Sequence, residues 1–196
     1  KKTGAELMGG KDVTIDDVLV NPILNSPYDE PSRHLKVGPK GPTGEIVPGR
    51  RPSQSFIPIA PSTKKNPQLE LDFDVTGERI EENPLINAIR DKVKVWRVQN
   101  YPGVTPVSRK LLQYWTSLER ENRILFCQRE AAETAIFLAE GRDRQSFVHQ
   151  IAELNAEYND ELPRVALKMA TGTGKTVVLG MLIAWQTINK VRAPGS

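Results

Sequence analysis

The stretch Arg164-Val165-Ala166-Leu167-Lys168-Met169-Ala170-Thr171-Gly172-Thr173-Gly174-Lys175-Thr176 decides how the chain is read. Val165, Leu167 and Met169 fall on alternate positions, as on one face of a short strand. The run from Val177 to Asn189 is apolar nearly all round, which predicts a buried helix. Between the two lies a glycine-bearing loop. In a strand, glycine loop and helix succession, backbone N–H groups and the positive end of the helix dipole converge on one point and hold an oxyanion there. Gly172 and Gly174 let the backbone curl close to the anion with no Cβ in the way. Lys175 supplies a point charge for β- and γ-phosphates, and Thr176 offers a hydroxyl to Mg2+. Ala170, Thr171, Gly172, Thr173, Gly174, Lys175 and Thr176 are thus the expected binding set, with ATP and Mg2+ as ligands. The generic form of this loop has a glycine where Met169 stands, so the match is to a variant with alanine at 170 and glycines at 172 and 174.

Upstream, residues 142–162 are polar, with Phe147, Ile151, Leu154 and Tyr158 at spacings of three and four. That pattern predicts an amphipathic helix, ended by Pro163. Residues 83–140 predict three further helices. Asn83 and Pro84 open the first, with Leu85, Ile86, Ile89, Val93 and Trp96 at helical spacing. Tyr101-Pro102-Gly103 breaks the chain, and Thr105 with Pro106 opens the second, carrying Val107, Leu111, Leu112 and Trp115. The charged stretch Leu118–Arg123 reads as exposed. The third helix follows Gln128, presents Ala131, Ala132, Ala135, Ile136 and Leu138, and stops at Gly141. Trp96 and Trp115, on apolar faces, read as core residues rather than as base-stacking platforms.

The first seventy residues differ in kind. Pro22, Pro27, Pro31, Pro39, Pro42, Pro48, Pro52, Pro58, Pro61 and Pro67 exclude long helices and central strands. Short extended pieces are expected at Val18–Val20 and Ser55–Ile59, and Leu35–Arg51 reads as a turn or hairpin tip. The expected outcome is an extended arm that packs on a partner surface, with disorder as the alternative. Arg50 and Arg51, in a Gly-Pro context, read as solvated. Asp72 and Asp74, two apart in a strand-like run, read as one exposed strand face.

The 196 residues carry a net charge of +3 and a sequence pI near 9.0, a mild basic excess. The single Cys127, with His34 and His149 the only histidines, excludes a disulfide framework or a zinc cluster and points to a reducing cytoplasm. No apolar run follows Lys1 and Lys2, and Val177–Trp185 is too short to span a bilayer, so no membrane partner is expected. The missing initiator Met and the stop soon after an apolar helix suggest a piece of a longer protein.

The Ala170–Thr176 run resembles motif I of superfamily 2 helicases and translocases. Phe126-Cys127-Gln128-Arg129-Glu130-Ala131 resembles the Q motif of that superfamily, in which a glutamine reads the adenine edge; an amide can both donate to and accept from adenine. The stretches Asn25–His34, Gly49–Ser53 and Tyr101–Pro106 narrow the likeness. Together with motif I, over roughly residues 20–190, they resemble large bacterial helicase-nucleases similar to the Res subunit of type III restriction enzymes. The resemblance implies an α/β fold: an incomplete RecA-like P-loop lobe (163–196), a helical region with the Q-motif-like segment (83–162) and a Pro-rich arm with short strands (1–82). It also implies an ATP hydrolase that moves on duplex DNA, often fused to an endonuclease, with a methyltransferase or specificity subunit as a partner.

Two other classes fit parts of the same sequence. A small kinase or GTPase-like switch would share the loop but would begin near it, whereas some 160 residues precede it here. A non-catalytic interaction module with a relict loop is the third reading; the intact glycine pair, Lys175 and Thr176 weigh against it.

Overall fold

The computed structural model describes residues 23–38, 41–58, 78–159 and 161–192. Four strands come first, β1 (Arg33–Gly38), β2 (Gly41–Pro48), β3 (Gln54–Pro58) and β4 (Glu78–Glu82), then five helices: α1 (Pro84–Val98), α2 (Pro106–Thr116), α3 (Phe126–Glu140), α4 (Gln145–Tyr158) and α5 (Lys175–Arg192). The chain is mixed α/β. Both sheets among the described residues are antiparallel pairs, β1 with β2 and β3 with β4. The β1–β2 register slips between Leu35 and Val37. Pro42, Pro48 and Pro58 are tolerated because each strand of a two-stranded sheet keeps an edge that needs no donor.

Local signals account for the helix boundaries. Pro84 occupies the first turn of α1, where no backbone donor is missed. Asn83 does not cap it with its side chain. The Asn83 amide instead donates to Ser53 Oγ at 3.2 Å and accepts from Ser55 Oγ at 3.1 Å. Thr105 does cap α2, its hydroxyl accepting from Ser108 N at 3.1 Å. After α1 the chain reverses through Asn100 and Tyr101, both left-handed at φ 58° and 59°. Arg109 secures this turn by donating to the carbonyls of Asn100 and Tyr101. Gly141 ends α3 at an ordinary φ of −56°. Space, not backbone freedom, demands glycine there, since a Cβ would lie 2.4 Å from the Phe137 ring.

The core sits between α1, α2, α3 and one side of α5. Val93, Trp96, Leu112, Ile136, Phe137, Met181 and Trp185 are buried in it. Trp96 meets Tyr101 and Phe137 edge-on, with centroids 4.9 and 5.4 Å apart. Phe147 and Ile151 of α4 pack against this cluster, while Leu154 and Tyr158, placed on the same face by their spacing, are exposed.

Three expectations need correction. Residues 164–169 form no strand; the segment is irregular and mostly exposed. Alternation gives strand propensity, but a strand exists only when a neighbour takes its hydrogen bonds, and both described sheets are elsewhere. Helix α5 is not buried all round: Val178, Met181 and Trp185 are, but Val177, Leu179, Ile183 and Val191 are 46–73% exposed. The described part of the arm is not a free extended segment; it folds back on the chain's own helices. Phe126 N donates to Pro27 O at 2.8 Å, Ser53 N to Asn87 Oδ1 at 2.7 Å, and Arg50 grips Glu130 with both terminal nitrogens. Arg50 is therefore paired rather than solvated. Val18–Val20, Asp72 and Asp74 lie outside the described residues. No helix of the described residues is long and apolar enough to cross a membrane.

The Glu133 side chain is wholly buried. Its carboxylate accepts from Arg97 at 2.7 and 2.8 Å, from Arg129 Nε at 2.8 Å and from the Tyr101 hydroxyl at 2.8 Å. Removing the carboxylate would take the buried counter-ion from Arg97 and Arg129 and the acceptor from the Tyr101 hydroxyl, leaving Arg97 only its 3.6 Å contact with Glu30, so Glu133→Ala is expected to cost about 3–5 kcal/mol in urea unfolding. Burial, then the Glu133 charge, push the Tyr101 phenol from 10.0 up to about 12. The unfolded chain would lose that proton first. Stability is therefore expected to hold below pH 10 and to fall as pH rises towards 12. Tyr101→Phe should remove that component from the alkaline unfolding curve; an identical curve would count against the assignment.

Candidate functional site

The loop from Ala170 to Gly174 leads directly into α5, whose first residue is Lys175. Gly172 and Gly174 both have left-handed φ, +79° and +74°. Other residues rarely adopt that backbone, so the double reversal depends on glycine at these two positions. Gly174 is also sterically fixed, since a Cβ would come within 2.3 Å of Gln128 Nε2. Gly174 O accepts from Val177 N at 2.9 Å and Val178 N at 3.4 Å, closing the first turn of the helix. The N–H groups of residues 171–176 meet no acceptor among the described residues. They form a run of donors at the positive end of an 18-residue helix.

The side chains close the loop on itself. Thr173 Oγ1 and Lys175 Nζ both donate to Ala170 O, at 2.7 and 2.9 Å. An ammonium has three N–H groups, so Lys175 keeps donors for a second acceptor while it holds Ala170. Thr171 and Thr176 are exposed. Their hydroxyls make no hydrogen bond among the described residues, which leaves Thr176 at the helix start with an oxygen available to a cation.

Gln128 is expected from sequence to precede a helix and read adenine. In the structure it lies inside the first turn of α3, buried, and both ends of its amide are engaged. Oε1 accepts from Leu125 N at 2.9 Å, and Nε2 donates to Thr173 O at 2.9 Å. The residue thus ties the start of α3 to the loop, and in this conformation its amide is not turned outward to a base. The sequence puts Gln128 and Thr173 forty-five positions apart, and no local pattern signals their contact.

A second set of residues, not foreseen from sequence, anchors α5 further along. Trp185 Nε1 lies 2.8 Å from Glu140 Oε1 and 2.9 Å from Ser108 Oγ. Asn189 Nδ2 donates to Ser108 Oγ at 2.9 Å, and Thr105 Oγ1 to Asn189 Oδ1 at 2.6 Å. The one available signal was the pairing of Thr105 with Ser108 and of Trp185 with Asn189 at helical spacing.

The described residues contain no cluster of three or more His, Cys, Asp or Glu that could hold a metal ion. In comparisons with known proteins, no family model, curated protein or solved structure matches the chain.

The Gln128 contacts generate a specific expectation. Gln128→Glu keeps an acceptor for Leu125 N but sets a carboxylate oxygen against Thr173 O. Losing one hydrogen bond of about 1 kcal/mol should raise local opening roughly five-fold. Amide hydrogen exchange at Val177 and Val178 should accelerate by that factor while exchange in the middle of α3 stays constant. Unchanged exchange at Val177 and Val178 would mean that Gln128 does not restrain the loop.

Proposed function

We propose that this chain is the nucleotide-binding segment of an ATP-dependent motor acting on duplex DNA, of the superfamily 2 translocase kind found in type III restriction Res subunits. The observation that carries the nucleotide part is the Ala170–Thr176 loop: paired left-handed glycines, a run of N–H donors that meet no acceptor among the described residues, and Lys175 and Thr176 at a helix start. The donor set suits a triphosphate with its cation. Residues 171–176 would hold the phosphate oxygens through backbone N–H groups. Lys175 would exchange part of its contact with Ala170 O for the β- and γ-phosphates, and Thr176 would give its hydroxyl to Mg2+. Bound ATP supplies the phosphoanhydride whose hydrolysis drives movement.

Binding is as far as these residues reach. Hydrolysis also needs a group that orients the attacking water and a cationic group for the transition state. No carboxylate hydrogen-bonds to the loop among the described residues. The remainder of the motor, its DNA track, an endonuclease and a methyltransferase or specificity partner belong to the proposal through the motif resemblance. The exposed apolar side of α5 supports the RecA-like reading, because in such a lobe that helix covers a parallel sheet.

Two outcomes are expected. The 196-residue chain should bind a fluorescent ATP analogue in the presence of Mg2+ without turning it over. Lys175→Ala should weaken that binding about thirty-fold, the loss of a charge-assisted contact worth about 2 kcal/mol; phosphate release dependent on Lys175 would contradict the division of labour. In the whole motor proposed here, ATPase activity should rise with duplex DNA and vanish in Lys175→Ala. Turnover indifferent to DNA would favour a different P-loop enzyme, and absent turnover a binding module.

A further inference from the structure

Helix α3 begins without a polar cap of its own. Leu125 stands at the capping position, and its side chain offers no acceptor. The described part of the arm takes over that role. Pro27 O accepts from Phe126 N, the first amide of the helix, at 2.8 Å. Arg50 closes on the same turn. Its two terminal nitrogens donate in parallel to the two oxygens of Glu130, Nη2 to Oε2 at 2.6 Å, and its guanidinium lies 5.7 Å from the centre of the Phe126 ring. Bonds within the arm bring Pro27 and Arg50 to one place. Gly49 N donates to Ser32 O at 2.7 Å, His34 Nδ1 donates to Gly49 O at 2.8 Å, and the Asn25 amide holds both backbone groups of Arg33.

The same turn of α3 holds the glycine loop. Gln128 lies midway between the two residues that the arm grips, Phe126 and Glu130. Its Oε1 accepts from Leu125 N, and its Nε2 donates to Thr173 O. There is no slack at that contact, since a Cβ on Gly174 would come within 2.3 Å of Nε2. A displacement of the turn is therefore passed to the loop. We propose that Arg50 and Glu130 are positioning residues for nucleotide binding: they clamp the first turn of α3, the turn fixes Gln128, and Gln128 fixes the loop. Neither residue need touch the nucleotide. The nucleotide part of this inference rests on the reading of the loop above; the coupling of the arm to the loop does not.

The test compares amide hydrogen exchange in the 196-residue chain without nucleotide. Arg50→Gln removes the paired fork and should speed exchange at Val177 and Val178 about three-fold, the scale of one partly exposed ion pair. The centre of α2 should exchange at its wild-type rate. Arg50→Lys, which keeps the charge and loses the fork, should fall between wild type and Arg50→Gln. In the Gln128→Glu background, Arg50→Gln should add nothing, because the link it acts through is already broken. Lys36→Gln, which breaks an exposed ion pair within the arm, that with Glu45, should change neither region. Binding of the fluorescent ATP analogue with Mg2+ should weaken about three-fold in Arg50→Gln and recover in part in Arg50→Lys. An unchanged rate at Val177 and Val178 in Arg50→Gln would overturn the proposal. So would an equal acceleration at the centre of α2, the sign of general loosening, or an undiminished effect of Arg50→Gln in the Gln128→Glu background. A chain that shows the expected exchange pattern yet binds no nucleotide would sink the nucleotide reading and leave the coupling standing.

Discussion

The carboxylate of Glu140 holds the helix that carries the loop. Ser108 donates to it at 2.7 Å, Thr105 N at 2.9 Å, and the Trp185 indole at 2.8 Å. Among the described residues, helix α5 rests on neighbours along one side, so that apolar packing alone would leave it free to roll about its axis. Directional bonds to a nearly buried indole and amide remove that freedom. Each partner also depends on the others, because losing one leaves several polar groups without bonds in a partly dry site.

Helix α3 reaches both ends of the same arrangement. Gln128, in its first turn, bonds the loop at Thr173, and Glu140, at its end, bonds Trp185. The two positions are about 18 Å apart along the helix axis. They meet α5 in the same chain sense, so α3 and α5 run side by side, and α3 acts as a splint for the loop and its helix. Glu133 lies between those two positions and fastens the splint to α1 through Arg97 and to the reversed turn through Tyr101. The position of the loop thus follows from a chain of polar contacts that begins far from it in sequence.

Much of the helical architecture was legible in the residues. Pro84 and Thr105 mark boundaries because their backbone or capping chemistry acts over a few positions, Gly141 because it leaves room for the Phe137 ring four residues earlier, and Trp96 and Trp115 declare the core by their spacing. What could not be read is whatever depends on a distant partner. Asn83 looks like a cap, yet its amide is better used on Ser53 and Ser55 some thirty positions earlier. Arg50 looks solvated until Glu130, eighty positions on, reaches it. Residues 164–169 have the alternation of a strand, but none of the described strands offers them a ladder to join. At the candidate site, the glycines and Lys175 announce themselves through local chemistry. The tie from Gln128 to the loop does not, because any glutamine in a first helical turn has the same appearance.

The three tryptophans have one more consequence. Trp96, Trp115 and Trp185 are each less than a tenth exposed, so the folded chain keeps every indole out of bulk water. Trp185 alone sits on the helix that begins at the loop, and its ring nitrogen is shared between a carboxylate and a hydroxyl. The emission of that one residue is therefore an intrinsic optical reporter of how α5 is seated, built into the chain and requiring no attached dye.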